Sequence, residues 1–202
     1  MNIYKQLGKR FFDFCSSLIG LIILSPVMLM IAIFIKLSDN GPVFFAQERM
    51  GKGFEKFRLF KFRTMVVNAY KAGEAITKGQ DPRITGAGKF LRHYKLDELP
   101  QLINVLKGEM SMVGPRPEVE KYVEIFKDQY QQILAIKPGI TDYATLQFRN
   151  EEDILNKYED TNEGYIRGVL PVKIELYLKY LNEMSFVTDL KIILKTLWEI
   201  AA

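Results

Sequence analysis

Phe11-Phe12-Asp13-Phe14, followed by Leu18-Ile19-Gly20-Leu21-Ile22-Ile23-Leu24-Ser25-Pro26-Val27-Met28-Leu29-Met30-Ile31-Ala32-Ile33-Phe34-Ile35, is the stretch on which the fold turns. A bilayer's hydrocarbon core, about 30 Å thick, takes roughly 20 apolar residues in a helix. Leu18 to Ile35, with its aromatic approach, reaches that length by a small margin. A secretory signal has a shorter apolar core and a small-residue cleavage site. Here the run ends in Lys36-Leu37-Ser38-Asp39-Asn40-Gly41-Pro42, which reads as a turn without such a site. A buried core helix is the other ordinary reading. Against it, the run is apolar on all faces, as a lipid-exposed or wholly enclosed helix must be.

The flanking charges bear on topology. Lys5, Lys9 and Arg10 precede the run, and Lys36, Arg49, Lys52, Lys56, Arg58, Lys61 and Arg63 come after it. Lys and Arg favour the cytoplasmic side of a spanning helix, and here both flanks ask for that side. Pro26 lacks an N–H and crowds the preceding turn, which favours a kink. The Ser25 hydroxyl can satisfy a carbonyl freed by that kink. The expectation is a re-entrant helix–break–helix, broken at Ser25-Pro26, that enters and leaves the same leaflet. The competing reading is a kinked single span with an external domain.

Composition bounds the remainder. The chain has 202 residues, 48% hydrophobic and 26% charged, with a formal net charge of +4. The chain beyond the apolar run is ample for one globular domain. The expected division is therefore a membrane segment at 1–37 and a catalytic domain at 38–202. Cys15 is the single cysteine, so no internal disulfide framework exists, consistent with a reducing compartment. A lone His93 cannot build a histidine-rich metal site. The basic excess just after the apolar run suits anionic lipid headgroups or phosphorylated substrates. Nothing resembles a nucleic-acid-binding module, so no nucleic-acid partner is expected.

The fold class read from the pattern is α+β, mostly helical. Val43 to Gln47 and Phe57 to Arg63 have strand character, with Gly51-Lys52-Gly53 as a turn between them. Alternation puts Arg58 and Lys61 on different faces and Lys61 and Arg63 on one. Asn68 to Lys78 reads as helical, Asp81 to Gly86 as a loop, and Phe90 to Leu106 as a helical region stopped by Gly108. Glu151 to Tyr165 is acidic and reads as a mobile or subtype-specific element. Ser185 to Ile200 is amphipathic. Phe186, Leu190, Ile193, Leu194 and Leu197 share one stripe, which either packs on the core or lies in a membrane interface with Trp198 at headgroup level.

The chemistry centres on Leu96-Asp97-Glu98-Leu99-Pro100-Gln101. Proline belongs to the first turn of a helix, so a helix starts near Asp97. A carboxylate there faces unpaired amides and the positive end of the macrodipole, which should keep it ionised. An ionised Asp can be a nucleophile or a metal ligand. Adjacent residues on a helix point about 100° apart. Asp97 and Glu98 can therefore reach one metal or phosphate without forming a face-to-face acid pair. Gly114-Pro115-Arg116-Pro117 holds an Arg between two prolines, and a rigid guanidinium suits bidentate phosphate recognition.

The order of these blocks adds what none shows alone. It runs from a basic flank and a Ser-Pro-broken apolar helix to Gly41-Pro42-Val43-Phe44-Phe45 with Gln47 and Arg49. Then come Phe60-Lys61-Phe62-Arg63-Thr64-Met65, Asp81-Pro82-Arg83, the Asp97-Glu98 block, Asn104 to Ser111, Val113 to Pro117, and Lys137-Pro138-Gly139-Ile140-Thr141. This resembles the small monotopic polyprenyl-phosphate phosphoglycosyl transferases, the bacterial sugar transferases. The resemblance implies transfer of sugar-1-phosphate from a UDP-sugar to undecaprenyl phosphate, with release of UMP, through a covalent phosphosugar on Asp97. It implies Mg²⁺ held by Asp97 and Glu98, and a phosphate held by Arg116. Lys61, Arg63 and Arg92 are further candidates for phosphate contact or dyad positioning. It also implies the cytoplasmic face of a bacterial inner membrane, contact with membrane lipid and a first membrane step in glycoconjugate synthesis; a homodimer is an admissible assembly.

One departure stands out. After Thr141 many members continue with Gly-Trp and a short Gln-Val segment, whereas this chain has Asp142 to Asn150. That segment, with Arg149 as a candidate substrate contact, bears on nucleotide or sugar recognition. The alternative reading is a membrane-anchored binding or scaffold protein that kept the fold without turnover.

Overall fold

A single helix, α1 (Lys9–Asp39), carries the apolar run in the computed structural model, which describes residues 4, 8–67, 69, 81–149 and 151–201. The helix is continuous through Ser25-Pro26, so the expected helix–break–helix is corrected to one uninterrupted helix. The reason is local. Pro26 deprives the Ile22 carbonyl of its helical N–H partner, and the Ser25 hydroxyl donates to that same carbonyl at 2.9 Å. The chain leaves α1 through Asn40 in the left-handed region (φ 57°), whose N–H bonds the Lys36 carbonyl.

One flank of α1 is docked along its length. Lys9, Asp13, Ser17, Ile31 and Ile35 are buried, and a Cβ on Gly20 would sit 3.3 Å from Leu102. The opposite flank presents Phe11, Ile19, Ile22, Ile23, Leu29, Met30, Ile33 and Phe34 to the exterior. Only 11% of the most apolar window is buried, which is not how a core helix behaves.

Strands β1 (Phe44–Met50) and β2 (Lys56–Phe62) form an antiparallel hairpin, with Phe44 opposite Phe62 and Met50 opposite Lys56. Its turn is a 3-10 segment with Gly53 and Phe54 at positive φ. Helix α2 (Gly86–His93), N-capped by Thr85, precedes a 3-10 turn at Leu96–Glu98 and α3 (Gln101–Lys107). The helical region expected from Phe90 to Leu106 is thus divided at Tyr94-Lys95. Gly108 ends it at φ 87°, a conformation open to glycine. Strand β3 (Ser111–Val113) comes next, then α4 (Glu120–Ile125) and α5 (Lys127–Ile133), then β4 (Gly139–Thr141), which pairs parallel with β3. The helix expected from Asn68 to Lys78 lies outside the described residues, Ala69 excepted.

Helix α6 (Tyr143–Gln147), α7 (Glu151–Leu155), α8 (Thr161–Gly164) and a π-helical turn (Tyr165–Val169) lead into α9 (Leu170–Glu183) and α10 (Phe186–Ala201). The main core gathers Tyr122, Val123, Tyr130, Ile133, Leu155, Leu170 and Tyr177. The acidic segment expected to be mobile is anchored there. Leu155 is buried, Glu151 pairs with the buried Lys173 at 2.5 Å, and Tyr158 lies against Gly164 and Gly168. Helix α10 also departs from one expectation. Asp189 and Ile192 face inward, whereas Phe186, Leu190, Leu194, Leu197 and Trp198 face out, Trp198 with 75% of its surface exposed. Of the apolar stripe, Ile193 alone packs against the Val113–Tyr180 cluster, and the rest faces away from the core.

Candidate active site

Asp97 and Glu98 sit in the 3-10 turn between α2 and α3. Lys95 enters the turn in the left-handed conformation (φ 54°, ψ 20°), which only a few per cent of non-glycine residues adopt. Pro100 is the N-cap of α3, its carbonyl accepting from the Ile103 amide at 3.0 Å, and the first helical residue, Gln101, lies four positions after Asp97. Asp97 therefore gains little from the α3 amides. Burial pushes its carboxyl above the ordinary Asp value, opposed first by the Lys61 charge and also by Arg92 and Lys95. The charges of Lys61, Arg92 and Lys95, rather than the helix end, are what favour its ionised form.

Glu98 behaves oppositely. Its Oε1 accepts from Lys61 Nζ at 2.8 Å and from Arg116 Nη2, and its Oε2 accepts from Arg116 Nη1 at 3.3 Å. Against the burial penalty, the Arg116 and Lys61 charges hold this carboxyl well below the usual range. The same contact drives the Arg116 guanidinium well above its ordinary value. Lys61 Nζ lies 4.0 Å from Asp97 Oδ2. Among the described residues no hydrogen bond ties down the Asp97 carboxylate, although only 6% of the residue is exposed. One carboxylate is saturated and its neighbour is left unbound among cations.

Each partner is positioned by its own element. Lys61 lies on the face of β2 opposite Arg58, as the alternation predicts. Asn104 of α3 clamps that strand. It accepts from the Phe60 amide at 3.0 Å and donates to the Arg58 carbonyl at 2.7 Å, and none of it is exposed. Arg116 leaves the β3 end, where β3 and β4 pinch together. A Cβ on Gly139 would lie 2.0 Å from the Gly114 nitrogen, so both positions require glycine. The Arg116 amide donates to Asp142 Oδ2 at 2.9 Å, and Asp142 Oδ1 caps α6 by accepting from the Thr145 amide.

The other expected residues divide. Arg92 donates to the Thr64 hydroxyl at 3.0 Å and its charge acts on Asp97. Arg63 is not brought to the dyad. Its side chain donates to the Pro42 carbonyl at 2.5 Å and the Met65 carbonyl at 3.2 Å, tying the exit of α1 to the end of β2. Two unpaired loop carbonyls need a donor there more than the site does. Arg149 lies exposed after α6 and bonds neither Asp97 nor Glu98. Lys95, Asn104 and Asp142 are not singled out for these roles by spacing. The left-handed Lys95 has no signature in its own residue type, whereas the Asp142-Tyr143-Ala144-Thr145 run carries a capping pattern.

Among the described residues no group of three or more His, Cys, Asp or Glu side chains gathers at one point. Among the described residues, the adjacent carboxylates Asp97 and Glu98 are the ones the 3-10 turn sets at the site to face a metal. That donor set fits Mg²⁺, which takes one or two carboxylates and completes its shell with substrate phosphates and waters.

Residues 4–202 match the family model described as bacterial sugar transferase. The chain belongs to that family. Similar members include a UDP-N-acetylgalactosamine-undecaprenyl-phosphate N-acetylgalactosaminephosphotransferase of Aeromonas hydrophila, 37% identical, covering 94% of this chain and 42% of the relative. The UDP-glucose:undecaprenyl-phosphate glucose-1-phosphate transferase of Escherichia coli (strain K12) is 38% identical, covering 96% and 40%. The exopolysaccharide production protein ExoY of Sinorhizobium fredii is 34% identical, covering 95% and 84%. This bacterial sugar transferase thus spans about two fifths of the length of the first two relatives and most of the third.

Proposed function

We propose that this chain transfers sugar-1-phosphate from a UDP-sugar to undecaprenyl phosphate, the acceptor in the names of its relatives. The observation that carries the reading is Asp97, a buried carboxylate without a hydrogen bond, set among the charges of Lys61, Arg92 and Lys95. Arg116 adds a further positive charge, and such a setting suits the anionic diphosphate of a sugar nucleotide.

In the first step an Asp97 oxygen attacks the β-phosphorus. The bond from that phosphorus to the bridging oxygen breaks, and UMP leaves with the electron pair. The sugar phosphate is then an acyl phosphate on Asp97. In the second step a phosphate oxygen of undecaprenyl phosphate attacks the same phosphorus and releases Asp97, leaving a polyprenyl-diphosphate sugar. Cations fixed before reaction stabilise charge on the transferring group without reorganising. Mg²⁺ held by Asp97 and Glu98 would offset phosphate charge.

The division of labour we infer is a membrane segment at 1–37 and a catalytic domain at 38–202, on the cytoplasmic face of the inner membrane. Support for a re-entrant rather than spanning placement comes from the docked flank of α1. Contacts run from Lys9 to Ile35, about 39 Å of helix, so the domain lies beside the helix rather than beyond its end. The outward stripes of α1 and α10 meet where Phe12 packs edge-on against Phe186, making one apolar surface for lipid.

UMP release across a panel of UDP-sugars, with undecaprenyl phosphate and Mg²⁺, tests the reaction. Asp97→Asn should abolish release and the labelled phosphosugar adduct; unchanged UMP release would sink the covalent mechanism.

A further inference from the structure

Both cations that face the Glu98 carboxylate are already engaged by it. Lys61 meets it with Nζ and Arg116 with both terminal nitrogens of its fork. Neither cation is loosely held. Asn104 clamps the strand that carries Lys61, and Asp142 holds the amide of Arg116. A guanidinium fork receives a carboxylate and a phosphate in the same way. Glu98 thus occupies the place where a phosphate would be recognised.

We propose that Glu98 is an internal stand-in for the substrate's diphosphate, and that the anion pocket opens only when this carboxylate is drawn off Lys61 and Arg116. The inference rests on reading the site as one for a nucleotide diphosphate sugar. A displaced Glu98 would be a buried charge without a partner, which is costly. A divalent cation shared with the adjacent Asp97 gives it one. Asp97 and Glu98 together would hold such a cation, and Lys61 and Arg116, which Glu98 otherwise neutralises, would then be free to meet a phosphate. Binding of diphosphate should then depend on metal through Glu98, beyond any chelation of the ligand in solution.

The test is calorimetric binding of UDP and of inorganic pyrophosphate to the full chain in detergent, first in EDTA and then in Mg²⁺. Glu98→Gln removes the stand-in charge. In EDTA it should bind UDP about tenfold more tightly than the unmodified chain, the equilibrium equivalent of one charge-assisted hydrogen bond. It should also gain less from Mg²⁺. Should Glu98→Gln fail to fold, Glu98→Asp keeps the charge, cannot span both cations, and should show a smaller gain in the same direction. Equal or weaker binding by the folded variant in EDTA overturns the stand-in. Binding of neither UDP nor pyrophosphate, by any form with or without Mg²⁺, overturns the nucleotide-sugar reading and the stand-in with it.

Discussion

Lys9 and Asp189, 180 positions apart, form a buried ion pair at 2.6 Å. Lys9 begins the apolar helix and Asp189 lies on the inward face of α10. Tyr180 joins them, donating to Asp189 at 2.6 Å and lying 3.1 Å from the Lys9 ammonium. Asp13, one turn further along α1, accepts from the Ser111 hydroxyl and the Met112 amide, each at 2.9 Å. The membrane-facing helix is thus bolted to the domain by charge and hydrogen bonds at one end and by aliphatic packing at the other.

Removing one member of that pair leaves a buried charge alone. Asp189→Leu should cost about 3 kcal/mol of stability, and Lys9→Met with Asp189→Leu should cost clearly less than the two single changes summed. Denaturant unfolding in detergent, run as a double-mutant cycle, measures the coupling.

Pro26 and Ser25 act on the Ile22 carbonyl together. Pro26→Ala restores its N–H partner and should stiffen α1, favouring a span and lowering turnover with the active site intact. Ser25→Ala alone should cost about 1 kcal/mol by leaving that carbonyl without a donor. Cysteine labelling at both flanks of α1 reads the topology; same-side labelling and full turnover in Pro26→Ala would count against Pro26 as the residue that sets the placement.

The pH dependence comes from Asp97. Burial raises its carboxyl, so as pH falls the nucleophilic carboxylate is lost earlier than for an ordinary Asp. Lys61 is the strongest charge opposing that rise. Lys61→Met should therefore move the acid limb of kcat/KM to higher pH, besides weakening binding. A limb that stays in place or moves to lower pH would remove Asp97 as the titrating group.

Asp142 serves two amides with two oxygens. Asp142→Ala should cost about 1 kcal/mol through the lost α6 cap and raise KM for the UDP-sugar by loosening Arg116. Asp142→Asn has one acceptor oxygen, so it should recover the cap or the Arg116 anchor and fall between the two. Melting curves and KM measured in parallel separate these effects.

Much of this is legible in the residues. The hairpin comes from alternation and a glycine turn, and the stop at Gly108 from its permissive backbone. Proximity of Asp97-Glu98 to Arg116 comes through resemblance, because nothing local relates them across eighteen positions. The misreadings share a cause. Periodicity says which residues share a face, not what meets that face. The stripe on α10 is ambiguous for that reason, and all of it but Ile193 turns outward. Arg63 shares the alternation of Lys61, yet two loop carbonyls capture it. The acidic run from Glu151 looks unsupported because its counter-charge, Lys173, lies a full helix away in the chain. Asp97 looks placed for stabilisation by a helix end, while its burial and the cations that oppose it cannot be read from the sequence.

The bolt between Lys9 and Asp189 also orders events in time. A ribosome adding about 5–20 residues per second needs roughly 10 to 40 seconds to travel from one to the other. Through that interval the nascent anchor carries Lys9 without its counter-ion, although the greasy stretch beside it has already been made. Insertion into lipid can begin early, but the final seating of the anchor must wait for nearly the last helix. A ribosome that stalls before Asp189 leaves an anchor that has met the membrane without its bolt, and so without a settled depth.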